Sequence, residues 1–277
     1  MKSRGLDEKM VDFANLLFSG RCNARCPFCI GRQVDPSLNE ANLERFPPRN
    51  LDMLIEMIWQ QEIRQVILTG TNTDPQLYRH EAQLLRLLRE QTPPGTRLVL
   101  HTNGRLALRK MDVLNRYDRA CLSFPTFDPA TYRKMMGVPH PPDLAEILRR
   151  ATIPVKISCV VTKANSGEIV NFLSRCLDLG VQRLVLRKLY EEKRSWEALL
   201  SENLSLIRTS TYRNNPVYHY QGMEVTLWDF SETASTSINL FSNGLISSQY
   251  LLTKAESVEN NFGRNNQVVI KPSQYCV

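Results

Sequence analysis

Six short apolar segments recur between residues 12 and 186, separated by longer segments of helical periodicity. Most are continuous apolar runs rich in β-branched residues, which is typical of parallel strands buried on both faces. They predict strands at Asp12–Phe18, Gln65–Thr69, Arg97–His101, Arg119–Ser123, Val155–Val161 and Gln182–Leu186.

The intervening segments carry apolar residues at the spacing of an amphipathic helix. The first stripe begins at Leu51, with Asn50 as its expected N-cap. Further helices are predicted around Leu84–Leu88, Leu144–Leu148, Ser166–Leu179 and Ser195–Ile207. This alternation suits right-handed βαβ crossovers. The pattern therefore predicts six βα units over residues 12–207, as a doubly wound sheet or a partly closed barrel.

Residues 208–277 break this alternation. Val217–Phe230 and Ile238–Leu251 are predicted as a β region, with a tight turn at Asn243–Gly244 because Asn-Gly favours hairpin turns.

Composition sets broad limits on the class of protein. The chain has 277 residues, 42% of them hydrophobic and 23% charged, without an apolar run long enough to cross a membrane. The charged N-terminus lacks the pattern of a signal peptide, so we expect a cytoplasmic protein with reduced thiols. The formal charge of +7 favours an anionic partner. No basic run interleaved with aromatic residues is present, so nucleic-acid binding is not favoured.

Three cysteines are concentrated in the segment SGRCNARCPFCIG, directly after the first predicted strand. Cys22, Cys26 and Cys29 have C-x3-C-x2-C spacing, and no histidine lies nearby. Three thiolates cannot complete a tetrahedral structural zinc site, whereas a [4Fe–4S] cluster held by three cysteines keeps one iron open to another ligand. The spacing favours such a cluster. A zinc or iron–sulfur module for nucleic-acid binding or electron transfer is the non-enzymatic alternative.

This motif, with Phe28 before the last cysteine and six βα units around it, resembles the radical S-adenosylmethionine (SAM) enzymes, in particular their MoaA/NifB/PqqE-like group. The resemblance implies a partial (βα)6 TIM-like barrel with a C-terminal β-containing extension. It also implies a [4Fe–4S] cluster whose open iron binds SAM, and an external electron donor of the flavodoxin or ferredoxin type. Reductive cleavage of SAM would give a 5′-deoxyadenosyl radical that abstracts hydrogen from the substrate.

The ends of the five later strands can be compared with the family's SAM-binding positions. TGTNTDPQLY follows the second strand where the family carries Gly-Gly-Glu-Pro, although two extra residues precede Asp74-Pro75. HTNG follows the third strand and resembles the family's Thr-Asn-Gly turn. The resemblance implies these SAM contacts: Phe28, Gly70, Thr71, Asn72, Asp74, Thr102, Asn103, Ser123, Lys163 and Arg187.

The division expected from the resemblance is a core over residues 1–207 and an extension over residues 208–277 that covers the barrel opening. The alternative is an extension that only lengthens the sheet outside.

The other cysteines are dispersed, which argues against an auxiliary cluster. Cys121 or Cys159 could face the barrel, or both could lie in the core. The expected substrate is a small molecule, with an anionic one favoured. A glycyl-radical-enzyme activase and a peptide-modifying enzyme are the alternatives, and the reaction outcome stays open.

Overall fold

The computed structural model describes residues 11–200 and 204–249, and its first six strands are those predicted. Their ends agree with the predicted ones to within one residue, and those of β4 are identical. They are β1 (Phe13–Phe18), β2 (Gln65–Gly70), β3 (Arg97–Thr102), β4 (Arg119–Ser123), β5 (Val155–Val160) and β6 (Arg183–Arg187).

Helices cover the outer face of these strands. They are α1 (Leu51–Gln60), α2 (Glu81–Gln91), α3 (Met111–Leu114), α4 (Pro129–Met136), α5 (Leu144–Arg150), α6 (Ile169–Asp178) and α7 (Trp196–Leu199). Short 3-10 turns lie at Ile30–Arg32, Pro36–Leu38, Pro75–Leu77 and Ser166–Glu168. Among the described residues, no helix is long and apolar enough to cross a membrane.

Strands β1 to β6 pair in chain order and in parallel, which is the wall of a partial TIM-type barrel. Alternate residues of each strand point to opposite faces of the sheet. One set, which includes Leu68, Leu100 and Ile157, packs against the helices in the main core. The other set faces the barrel lumen, where Phe13 and Val99 belong to a separate apolar cluster.

The C-terminal region adds strands to both edges of this wall. These strands are β7 (Ile207–Tyr212), β8 (Asn215–Tyr220), β9 (Met223–Trp228), β10 (Ser237–Leu240) and β11 (Ile246–Ser247). Strand β9 pairs in parallel with β6, and β10 pairs in parallel with β1. Within the described part of the chain, the resulting sheet has eleven strands in the order β11-β10-β1-β2-β3-β4-β5-β6-β9-β8-β7.

The two edges also contact each other through the β7–β8 turn. The guanidinium of Arg213 lies 3.7 Å from the carboxylate of Asp12, and its backbone carbonyl accepts a 3.1 Å hydrogen bond from the Ala234 N–H. The region after residue 207 therefore connects the two ends of the six-stranded wall. The predicted β segment at Ile238–Leu251 extends past residue 249, so its end lies outside the described residues.

One local prediction was wrong. Of the helix predicted over Ser195–Ile207, the described residues contain only α7, capped by the Ser195 hydroxyl; Ile207 begins β7, where β-branched residues favour a strand. Asn50 is the N-cap residue of α1, as predicted, but its backbone is left-handed and its side chain donates to the Gly244 carbonyl at 2.8 Å instead of to the helix. That contact ties α1 to the Asn243–Gly244 turn, which joins β10 to β11 as predicted.

Candidate functional site

The cysteine loop begins where β1 ends, and neighbouring turns hold its backbone in place. The side-chain oxygen of Asn72 accepts hydrogen bonds from the Ser19 hydroxyl at 2.9 Å and the Gly20 N–H at 3.0 Å. At the far side of the loop, the Arg25 N–H donates to the Met136 carbonyl at 2.8 Å. The loop is therefore fixed between the turn after β2 and the end of α4.

The three motif thiols are half-buried and line one cavity. The sulfur of Cys29 lies 3.6 Å from the Thr71 carbonyl, and that of Cys26 lies 3.6 Å from the Met136 sulfur. Burial, together with the nearby Cys29 and Cys22 thiols, raises the pKa of Cys26 to about 12. Apolar residues that include Phe28 pack around the loop, which places the thiols in a poorly solvated environment.

This arrangement fits a cluster better than a single ion. Within residues 11–200 and 204–249, no three His, Cys, Asp or Glu side chains approach closely enough to hold one metal ion. Each thiolate of a cubane binds a different iron, so its three ligands stand farther apart than those of a zinc ion. A small molecule that entered the cavity would reach the three motif thiols, which all line it.

The turn after β2 approaches the cysteine loop very closely. A Cβ atom at Gly70 would lie 1.8 Å from the Thr73 carbonyl oxygen, so only glycine fits there. A Cβ atom at Gly31 would lie 2.4 Å from the Thr71 carbonyl oxygen. The glycines thus allow the backbone after β2 to reach the loop that carries Cys29.

Asp74 is buried in this turn, and its carboxylate is already hydrogen-bonded. It accepts from the backbone N–H of Asn103 at 2.6 Å, from the hydroxyl of Thr102 at 2.8 Å and from the backbone N–H of Gln76 at 2.9 Å. Burial raises the pKa of Asp74, and these hydrogen bonds oppose that shift. The carboxylate therefore joins the turns after β2 and β3.

Most of the predicted SAM contacts lie in the same place. Nine of the ten line the cavity that holds the motif thiols, which we call the upper cavity and which has a volume of about 360 Å³. They are Phe28, Gly70, Thr71, Asn72, Asp74, Thr102, Asn103, Ser123 and Arg187. Lys163 is exposed and is not among the residues that line it, so the structure does not bring this side chain to the site.

Other lining residues were missed by sequence reasoning. Ser158 and Val160 on β5 face the upper cavity, and their alternation in the strand sequence could have indicated this. Lys188 also lines the cavity and forms a 2.6 Å ion pair with Asp229. No local signal in the sequence indicates this ion pair, because Lys188 follows β6 and Asp229 follows β9.

Below the upper cavity, the barrel lumen widens into a second cavity of about 870 Å³, which we call the lower cavity. His101, Cys121 and Arg187 line both, so the two cavities meet at these residues. Burial and the charges of Lys156 and Arg187 hold the pKa of His101 well below its usual range. Cys121 therefore faces the lumen, whereas Cys159 packs in the outer core.

Comparison with known proteins agrees with this geometry. The family model described as the Radical SAM superfamily matches residues 16–176, more than half of the chain. The chain belongs to the radical SAM superfamily. It is thus an enzyme of the radical SAM type, and the family implies the use of SAM and an iron–sulfur cluster.

Two relatives with similar sequences share the same activity in their names. The probable GTP 3′,8-cyclase of Sulfurisphaera tokodaii is 26% identical over 225 residues, which cover 74% of this chain and 68% of the relative. The GTP 3′,8-cyclase of Petrotoga mobilis is 22% identical over 227 residues, covering 75% and 69%. These relatives agree with the predicted group within the superfamily.

Solved radical SAM structures share the fold. Streptococcus suis SuiB bound to S-adenosylmethionine matches with a TM-score of 0.51 and 17% identity, covering 68% of this chain and 41% of SuiB. SuiB bound to the precursor peptide SuiA matches with a TM-score of 0.60 and 15% identity, covering 93% and 62%. The chain therefore spans about two fifths of SuiB in the first comparison, and the likeness concerns the fold.

Proposed function

We propose that Cys22, Cys26 and Cys29 hold a [4Fe–4S] cluster whose open iron binds SAM, and that the enzyme acts on an anionic small molecule. The observation that carries this proposal is the convergence of the three thiols on a cavity that continues into the barrel lumen. The bound cluster and SAM together would supply the 5′-deoxyadenosyl radical that abstracts hydrogen from the substrate.

Where SAM would bind, the protein presents polar groups around the cysteine loop. Ser123 and Ser158 are cross-strand neighbours that line the upper cavity, and neither hydroxyl bonds to another described residue. Asn72 and Asp74 instead use their side-chain oxygens to hold the turns. We therefore favour the two serines as direct SAM contacts, while Asn72 and Asp74 position the turn.

The charge of the lower cavity supports an anionic substrate. Its lining contains seven Lys and Arg residues but one carboxylate, that of Asp12, which lies 3.7 Å from Arg213. Burial lowers the pKa of Lys156, which reflects the cost of gathering cations in a poorly solvated space. An anion bound in the lumen would offset this repulsion. The names of the two relatives make GTP the first anionic compound to test.

The substrate would react where the two cavities meet, with the C-terminal strands excluding water from the sides. Strands β9 and β10 extend the wall at its two edges, and Arg213, in the turn between β7 and β8, contacts Asp12 beside β1 and Ala234 between β9 and β10. Enclosure protects a reactive radical from solvent and stray hydrogen donors. An external one-electron donor, such as a flavodoxin or ferredoxin, would reduce the cluster from the exposed side of the cysteine loop.

Anaerobic reconstitution tests this proposal. We expect about four irons per chain, as a cubane requires, and release of 5′-deoxyadenosine from SAM with dithionite. Cys22→Ala should lose both, whereas Cys176→Ala, a change in the outer core, should keep both. Full iron loading and SAM cleavage in the Cys22→Ala protein would refute the assignment.

A further inference from the structure

The side-chain amide of Asn103, in the turn after β3, has a fixed orientation. Its Oδ1 atom accepts a 3.1 Å hydrogen bond from the backbone N–H of Arg105, so its Nδ2 atom points the other way. There it donates to Oδ1 of Asn23 at 2.7 Å. Asn23 follows Cys22 in the chain, and the amide nitrogen of Asn103 therefore faces the cysteine loop.

The same nitrogen also approaches the sulfur of Cys22. A primary amide carries two N–H groups, and Asn23 accepts one of them. Nδ2 of Asn103 lies 4.0 Å from Cys22 Sγ, a distance that the large radius of sulfur allows for a weak N–H···S hydrogen bond. The backbone N–H of Ala24 points at this sulfur from 3.4 Å. A cysteine that binds iron is deprotonated and only accepts, so two N–H donors converge on one thiolate.

The other two motif thiols have different neighbours. The sulfur of Cys26 lies beside the thioether of Met136, and that of Cys29 lies beside the carbonyl oxygen of Thr71. Neither of these groups carries a hydrogen to donate. Among the described residues, Asn103 is thus the side chain placed to donate to a motif sulfur.

The turn that carries Asn103 is held rigidly behind the loop. Its backbone N–H donates to the buried carboxylate of Asp74 at 2.6 Å, and the Thr102 hydroxyl donates to the same carboxylate at 2.8 Å. The Gly104 N–H in turn donates to the Thr102 hydroxyl at 3.1 Å. The amide is therefore held in place before any cluster binds, and little reorganisation is needed for it to meet the sulfur.

A donor at this position affects how easily a cluster accepts an electron. Hydrogen bonds to the sulfur ligands are among the factors that set the reduction potential of an iron–sulfur cluster. One-electron reduction places additional negative charge on the sulfurs, so an N–H donor stabilises the reduced form more than the oxidised form. The apolar residues around the loop screen this interaction poorly, which strengthens it.

We propose that Asn103 is a positioning residue for the cluster, which donates to the Cys22 sulfur and raises the reduction potential. In the step that it assists, one electron leaves the external donor and enters the cluster, and no bond breaks. This inference rests on the proposed function, because it requires the cluster. It also gives Asn103 a role other than the SAM contact that the resemblance implies, since its N–H groups face Asn23 and Cys22.

Redox titration of the reconstituted protein without SAM, followed by electron paramagnetic resonance (EPR), tests the proposal. Asn103→Ala should lower the equilibrium constant for reduction about three- to tenfold, which is about 28–59 mV for one electron. Asn103→Asp keeps the size and the acceptor for the Arg105 N–H but replaces the NH2 group by a charged oxygen, so its potential should be lower still. Asn171→Ala, at an exposed position of α6, is the control and should keep the wild-type potential.

The order of the two variants separates this role from a structural one. If Asn103 only shaped the turn, the isosteric Asn103→Asp protein would lie closer to the wild type than Asn103→Ala, and that order would overturn the proposal. Wild-type potentials in both variants would also overturn it, and they are what a residue that contacts only SAM would give.

Pulsed EPR of the reduced cluster gives a second readout that does not depend on the potential. In protein made with ¹⁵N-labelled asparagine, a weak coupling between the cluster and nitrogen should be lost in Asn103→Ala and Asn103→Asp but kept in Asn171→Ala. The same coupling in all of these proteins would refute the contact. Iron content and SAM cleavage of the wild type test the cluster itself, so a negative result here leaves the proposed function intact.

Discussion

The carboxylate of Asp74 accepts a 2.6 Å hydrogen bond from the backbone N–H of Asn103, which joins the turn after β2 to the turn after β3. The same carboxylate accepts from Thr102 and from the Gln76 N–H. One buried side chain thus fixes the relative position of two turns on which several upper-cavity residues depend.

Asp74→Asn should therefore lower both stability and SAM affinity. Asparagine has nearly the size of aspartate, but its NH2 group cannot accept the hydrogen bonds that the carboxylate accepts. We therefore expect a loss of roughly 1.5–3 kcal/mol in the free energy of unfolding, the range for a hydrogen bond to a charged group. Urea denaturation and equilibrium SAM binding measure the two effects. Asp178→Asn, at an exposed helix end, is the control. Wild-type values for both quantities would mean that the carboxylate is dispensable.

Ser123→Ala tests direct contact with SAM. The hydroxyl points into the upper cavity without a described partner, so its removal should leave cluster loading intact. We expect SAM to bind roughly two- to twelvefold more weakly, the effect of one neutral hydrogen bond. Ser174→Ala on α6 should retain wild-type affinity. If Ser123→Ala also retained it, the serine would have no role in SAM binding.

His101 should make stability depend on pH. Its pKa lies well below the usual value in the folded protein, because the surrounding protein desolvates the half-buried imidazole and the charges of Lys156 and Arg187 disfavour its protonation. The unfolded chain therefore binds more protons below about pH 6.5, and this contribution to stability is present above that pH and is lost as the pH falls. The loss should reach about 1.4 kcal/mol per pH unit.

Urea denaturation between about pH 7.5 and pH 5.5 measures this effect. His101→Gln should show a shallower decline in unfolding free energy than the wild type. His219→Gln, at an exposed position of β8, should keep the wild-type slope. If the unfolding free energy of His101→Gln declined with pH as steeply as that of the wild type, His101 would titrate alike in the folded and unfolded states.

Lys110 should be essential to a buried ion pair beneath the site. Its ammonium contacts the carboxylate of Glu81, which is 2% exposed and also accepts from the Tyr117 hydroxyl at 2.9 Å. Lys110→Met would leave that carboxylate buried without its cation, and the expected loss is about 3–5 kcal/mol. Adding Glu81→Gln should recover much of the loss in urea denaturation. No recovery in the double variant would indicate that the lysine acts through its 2.6 Å contact with the Gln76 carbonyl instead.

The sequence predicted the barrel strands well because each is a continuous apolar run such as Val66–Leu68. It also indicated the cysteine motif and the turns, because glycine and asparagine positions are local signals. It did not distinguish Lys163 from Lys188, since lysines after strands look alike in sequence and only the direction of the side chain separates them. The meeting of the two cavities at His101, Cys121 and Arg187 depends on how the strands pair, which no local pattern contains.

The pairing of β10 with β1 was also beyond sequence reasoning. Asn15 looks like a polar interruption in an apolar strand, yet it is fully buried and donates a 2.7 Å hydrogen bond to Asn239, which is 224 positions later. Neither asparagine is explained by its own segment. Each becomes understandable only when the two strands lie side by side.

This pairing has a consequence for the order of biosynthesis. The cysteine loop leaves the end of β1, but one neighbour of β1 is formed by Ser237–Leu240, which the ribosome delivers more than two hundred residues later. Until that segment emerges, β1 has an unpaired edge and Asn15 lacks its partner. The frame beneath the cysteines is therefore completed only after Ser237–Leu240 has been made, long after the cysteine loop itself has left the ribosome.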